Sequence, residues 1–165
     1  MNIENKTNNN LEENESQLIE IGELKIEEKI SKLKERRDIL DLTKLRTYSI
    51  DHDGSLEIDD AISYERKESH GVIWIHISDP TSCIEKNCTV DLKARKKALS
   101  VYLADKVIYM LPEHIINLFS LKAGKTSLTL SVGIKLSEKG EIIDYIVSRA
   151  LINPNYNLTY IEADE

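Results

Sequence analysis

From the apolar stretch that ends at Ile50 into the one that begins at Ile58, the ten residues 51–60 carry five carboxylates, Asp51, Asp53, Glu57, Asp59 and Asp60, with a glycine at 54. A fold has to accommodate this run as a turn between two extended segments. Carboxylates a few ångströms apart repel one another, and there are two ways out. Some keep their protons through a raised pKa, or the group gathers a hard divalent cation, which takes several oxygen ligands and favours carboxylates. In an extended segment the alternation of side chains sets Glu57 and Asp59 on one face and Asp60 on the other. A loop folding back on Asp51 would then converge three or four oxygens on one point.

Two other readings of the run are a solvated acidic turn and a calcium loop of the EF-hand kind. The calcium loop begins well, with Asp51, Asp53 and Ser55 at its first, third and fifth positions. It then fails, because the glycine falls fourth, Leu56 stands sixth and Ile62 replaces the bidentate Glu at the twelfth.

A chain of 165 residues can bury one core, so one domain plus a tail is expected. Its net charge of −7 argues against free-standing affinity for polyanions, although cations bound at the acidic run would offset part of it. No apolar run approaches the ~18 residues of a membrane span, and the Asn- and Glu-rich start looks like neither a signal nor a transit peptide, which sets the expectation of a cytoplasmic protein without membrane contact. Cys83 and Cys88 stand without a second Cys or His pair at zinc spacing and read as reduced thiols.

Residues 1–16 have the composition of a disordered tail. From Gln17 to Arg37, apolar residues recur at three- and four-residue steps among Glu and Lys, the pattern of an amphipathic helix that serves as a packing arm or partner surface; with a lead-in segment it fills 17–45. A strand through Tyr64, a turn over Lys67 to Gly71 and a strand from Val72 to Ser78 form a hairpin that opens on the acidic run. His76, inside that second strand, reads as a packed histidine, and Asp79 either supports the acidic run or caps a turn. Asp91 is expected to cap a helix running to Leu103, with Tyr102 at its end, and Pro112 to Phe119 to form a short helix. Leu128 to Leu136 alternates with period two, a strand with one buried face, and Ser137 to Gly140 turns it into a partner at Glu141 to Ile152. The expected class is α+β: a mixed, mainly antiparallel sheet with helices packed on one side.

Tyr48-Ser49-Ile50-Asp51 followed by Glu57-Ile58-Asp59-Asp60-Ala61-Ile62-Ser63 resembles the signature that opens the RNB catalytic domain of the ribonuclease II family. Further resemblances follow in the family's order: Trp74 to Pro80, Val90 to Arg95, Ser100 to Leu103, Met110 to Glu113, Ser120-Leu121 and Leu158 to Tyr160. Glu57, where the family usually has Asp, and the closing Tyr160 to Glu165 are most similar to the cyanobacterial and plastid branch. Residues 46–165 thus resemble the N-terminal half of that domain.

The resemblance implies a metal-dependent 3′–5′ exoribonuclease acting on single-stranded RNA, not DNA, and releasing nucleoside 5′-monophosphates. It implies Asp59 and Asp60 as catalytic carboxylates, Asp51, Glu57, Asp59 and Asp60 as holders of Mg²⁺ (Mn²⁺ as the alternative), and Tyr102 as an aromatic that stacks on RNA bases. The second half of such a domain, with its arginine and further aromatic clamps, has no counterpart in the 165 residues. The expectation is therefore a truncated or split form with little activity alone, completed by a second polypeptide. A non-catalytic RNA- or partner-binding fragment of the same family is the other reading, and a structural calcium-binding domain is a third.

Overall fold

The computed structural model describes residues 28–36, 38–67 and 70–165. The expected tail (1–16) and the first part of the amphipathic helix lie outside them. Residues 28–34 are helical (α1) and place Leu33 in the core, while Lys29 and Lys34 donate to the carbonyls of Cys83 and Thr126.

Seven strands form one sheet in the order β1-β8-β7-β4-β3-β2-β9. They are β1 (Leu40–Asp41), β2 (Thr47–Ile50), β3 (Asp60–Arg66), β4 (Gly71–Ser78), β7 (Ser127–Leu136), β8 (Ile142–Ile152) and β9 (Tyr156–Leu158). The short β5 (Val101–Tyr102) and β6 (Val107–Ile108) pair separately. Hairpins β3–β4 and β7–β8 pair antiparallel, as does β4–β7 between them; β1–β8 and β2–β9 are parallel. The expected mixed, mainly antiparallel sheet is present, and it takes in β1, upstream of residue 46.

Helices α2 (Thr89–Lys97) and α3 (Glu113–Phe119) gather with α1 in one apolar cluster. Ala94, Ile115, Ile116 and Phe119 pack with Leu33, Ile39 and Leu128 there, and a second cluster gathers Ala61, Trp74, Leu121, Ala150 and Ile152. Gly133 lies beneath the Trp74 ring, where a Cβ would come within 2.6 Å of it. The sheet face that carries Ala61, Trp74 and Ala150 is buried and unusually polar. Buried His76 contacts the Ser63 hydroxyl through Nε2 at 2.9 Å and the Ser131 hydroxyl through Nδ1 at 2.8 Å, and Thr129 extends the chain to Ser131 and the Ala150 carbonyl. Burial depresses the His76 pKa to about 4, so the ring is neutral.

The opposite face has the reverse character. Cross-strand register lines up Asp60, Ile77, Leu130 and Arg149 in one row, Tyr48, Ile62, Ile75, Val132 and Val147 in the next, and Tyr64, Ile73, Ile134 and Tyr145 in a third. Ile62, Tyr64, Ile77, Leu130, Tyr145 and Val147 are exposed.

Two local expectations are corrected. The residue at the N-terminus of α2 is Cys88, whose Sγ accepts from the Asp91 N–H; Asp91 sits in the first turn, accepting from the Asn87 N–H and pairing with Arg95. The helix stops at Lys97 and does not reach Leu103. Ala98 takes a left-handed conformation (φ 68°) after three basic residues that suit the negative end of the helix dipole. Tyr102 therefore lies on β5.

Candidate functional site

The acidic run joins β2 to β3. Asp51 leaves β2 with its N–H bonded to the Leu158 carbonyl of β9 at 3.0 Å. The chain turns at His52 to Ser55, with Gly54 at φ +73°, a conformation that favours glycine. It is then pinned from both sides: the Ile58 N–H donates to the buried Ser120 hydroxyl (3.1 Å), the Ile58 carbonyl accepts from Leu121 N (2.9 Å), and the Asp59 carbonyl accepts from Ser78 N (2.8 Å). Ile58 is the buried anchor of the loop. Its backbone holds Glu57 and Asp59 on either side of it.

Glu57 is fixed in turn. Its Oε2 accepts from the Ser100 hydroxyl at 3.0 Å and from the Tyr102 hydroxyl at 3.4 Å, and Ser100 accepts from the Met110 N–H. Tyr102 is 66% exposed. The core-packing reading of this residue is thereby excluded: its ring faces outward, tethered at the hydroxyl to the acidic loop. Desolvation, then the charges of Glu57, Asp59 and Asp51, raise its pKa.

Asp59 is the electrostatic centre. Although the residue reaches solvent, its carboxyl is partly desolvated, and this, followed by the charges of Glu57, Asp60 and Asp51, pushes its pKa up to about 6. Three of the carboxylates singled out from the sequence thus act on the fourth, Asp59, and Asp60 starts β3 on the open face beside Ile77. Asp53 is exposed on the turn. Among the described residues, no three His, Cys, Asp or Glu side chains close on a common point as a ready metal site. The donor chemistry, all carboxylate oxygen, is that of a hard divalent cation, and the rise at Asp59 comes from desolvation first and from the neighbouring negative charges second.

A cleft of about 250 Å³ opens beside the loop, lined by Asp51, Asp53, Ser55, Lys122, Asn157 and Thr159 among others. His52 meets Tyr160 edge-on at 5.2 Å. Asp79 is buried away from the cluster, capping the turn at Pro80–Ser82 and reached by Arg149 at 3.4 Å, which settles it as a structural cap. Ser100, Ser120 and Asn157, which the sequence did not single out as working residues, hold the loop and its surroundings. Lone hydroxyls and amides carry no spacing signal, and only the tertiary fold shows what they reach.

The sequence profile of the RNB domain matches residues 39–165. The chain is 39% identical over 127 residues to an uncharacterized ribonuclease of Synechocystis sp., covering 76% of this chain and 19% of that protein. It is 38% identical over 128 residues to ribonuclease II, chloroplastic/mitochondrial, of Arabidopsis thaliana, covering 76% and 16%. Among solved structures, the apo form of Mycoplasma genitalium RNase R matches with a TM-score of 0.75 and 26% identity over 81% of this chain and 21% of that one. Yeast Ssd1, a pseudonuclease, matches with a TM-score of 0.72 and 27% identity, over 76% and 16%. The chain thus spans about a fifth of the length of these relatives. Because a pseudonuclease shares the fold, the likeness of the backbone does not by itself carry an activity. No helix among the described residues is long and apolar enough to cross a membrane.

Proposed function

Because the chain belongs to the RNB domain family, we propose that it carries the cation-binding part of a 3′–5′ exoribonuclease that hydrolyses single-stranded RNA to nucleoside 5′-monophosphates with Mg²⁺ or Mn²⁺. The observation that supports this most is the mutual action of Asp51, Glu57, Asp59 and Asp60 within one pinned loop, beside an outward-facing Tyr102.

Asp51, Glu57, Asp59 and Asp60 would hold the ion, with Asp59 and Asp60 nearest the scissile phosphate. A bound divalent cation would supply polarisation of the phosphoryl oxygen and activation of the attacking water. Asp59, whose carboxyl holds its proton up to about 6 through desolvation and then the neighbouring charges, would have to be deprotonated to serve as a ligand. Ser100 keeps the Glu57 carboxylate oriented, since its hydroxyl is fixed between that carboxylate and the Met110 N–H. Tyr102 offers a ring face to a base near the 3′ end, a contact worth roughly 1–3 kcal/mol and indifferent to base identity. Cytoplasmic RNA turnover is the proposed setting.

The test incubates the purified chain with 5′-labelled poly(A) and Mg²⁺, alone and in extract from cells lacking their own 3′ exonuclease. Stepwise shortening from the 3′ end that chelation abolishes supports the proposal. Intact RNA in both conditions contradicts it and leaves a binding role.

A further inference from the structure

Charge is unevenly placed along this chain. Residues 1–27 hold seven Glu and two Lys, so most of the net −7 falls there. Residues 86–106 have the opposite balance, six Lys or Arg against two Asp. That stretch contains α2, whose buried residue is Ala94. Leu92, Lys93, Lys96 and Lys97 are exposed on it. Residues four apart are neighbours on a helix surface, so Leu92 with Lys96 and Lys93 with Lys97 form a cationic strip around an apolar side chain that is 53% exposed. Arg95 is paired with Asp91 and Lys97 donates to the Tyr109 carbonyl, whereas Lys93 and Lys96 make no ion pair among the described residues.

The acidic residues enter the fold beside this strip. α1 runs from the Cys83 carbonyl, which accepts from Lys29, to the Thr126 carbonyl, which accepts from Lys34. Its first turn therefore abuts the loop that leads into α2, and Ile30 packs in one cluster with Ile84, Val90 and Ala94. Residues 1–27 join the chain at that point. The nine residues of α2 extend about 13 Å, a length that about five extended residues cover.

We propose that residues 12–27 of this chain dock along the outward face of α2 and shield it from other polyanions. Six of these residues are Glu, interspersed with Leu and Ile, which complements lysines set around Leu92. Tethering selects this occupant over a separate molecule, because a short linker holds the acidic segment at a millimolar effective concentration. The attraction is electrostatic and close to the surface, so salt screens it and uncovers the face. The inference goes beyond the proposed hydrolysis and does not depend on it, since it holds whether or not the carboxylate loop takes a cation.

Carbodiimide couples a carboxylate to an amine that touches it. The full chain is treated with it at low salt, digested and read by mass spectrometry. Links within one chain from Glu12, Glu13 or Glu15 to Lys93 or Lys96 are expected, at least tenfold fewer in about 0.5 M NaCl. A fluorescent single-stranded poly(U) probe then reports how open the lysines are, with EDTA present so that no metal acts. The chain with Glu12→Gln, Glu13→Gln and Glu15→Gln should bind the probe at least tenfold more tightly than the parent. Adding Lys93→Glu and Lys96→Glu, both at exposed positions, should remove that gain without moving the melting midpoint. Shortening of poly(U) once Mg²⁺ is supplied bears on the hydrolysis and not on the arm. Links only to other lysines, links only between separate chains, or equal probe binding by the parent and the Gln chain would overturn the inference.

Discussion

Two polar clusters lie on this sheet and behave in opposite ways. Around His76 the ring nitrogens and the hydroxyls of Ser63, Ser131 and Thr129 pair with one another in a buried chain. Around Asp59, partial desolvation and then the charges of Glu57, Asp60 and Asp51 push the carboxyl's pKa up to about 6, with no pairing of the kind around His76. The first cluster requires nothing further, so it is structure. The second is held in an unfavourable state by a well-pinned backbone, and such a local cost points to a ligand that relieves it.

The contrast can be attacked first at Asp59. Asp59→Asn removes a charge and almost no volume, so cleavage by the assembled enzyme should fall by at least about a hundredfold, measured as initial rate on poly(A). In the absence of divalent ion the same change should raise the melting midpoint slightly. The folded Asp59 holds its proton up to about 6 against an ordinary 3.8, so the folded chain binds more protons within that window and stability is lost as pH rises through it. With the side chain reaching solvent, the cost at pH 7 is about 1 kcal/mol or less. Near-normal turnover by the variant would remove Asp59 from the reaction.

His76 should show the opposite sign. Its folded pKa of about 4 lies below the ordinary 6.5, so the unfolded chain binds more protons between those values and stability is lost as pH falls from 6.5 towards 4. The group is fully buried, and the full effect amounts to about 3 kcal/mol. His76→Leu should abolish that acid-side loss in urea titrations, yet it strands two hydroxyls and should cost about 2–4 kcal/mol at pH 7. An unchanged acid limb would mean that the ring is not buried neutral.

Smaller effects sharpen the account of the loop. Ser120→Ala leaves the Ile58 N–H without its partner and should cost about 1–3 kcal/mol, with a larger fractional loss of cation affinity if the loop's pinning matters as argued. Tyr102→Ala should change stability by less than about 0.5 kcal/mol, because the ring is exposed, and should alter the length of the final RNA product. An unchanged product ladder would deny the ring a role on RNA.

The strands were legible because their side chains alternate: Leu128 to Leu136 and the hairpin that opens at Asp60 lie where period two puts them. What the alternation does not reveal is which face is covered. Isoleucine on one side of β4 and Trp74 with His76 on the other read as an ordinary inside and outside, and the Trp74 side, polar as it is, is the buried one. The end of α2 was misjudged because Leu99, Tyr102 and Leu103 continue a helical spacing, whereas the backbone turns at Ala98 and Ser100 is drawn to Glu57 and Met110. The acidic run stood out by crowding and spacing, and the resemblance to the RNB signature chose among its readings. Their support was not, since Ser100 and Ser120 lie 43 and 62 residues further along the chain from the groups they bind.

Titration of the purified chain with Mn²⁺, followed by electron paramagnetic resonance with Mg²⁺ as competitor, bears most directly on the carboxylate loop. We expect saturable binding that Mg²⁺ displaces, that Ca²⁺ does not outcompete, and that Asp59→Asn weakens at least tenfold. Binding that is absent, or equal in chain and variant, would contradict the assignment of this loop as a cation site.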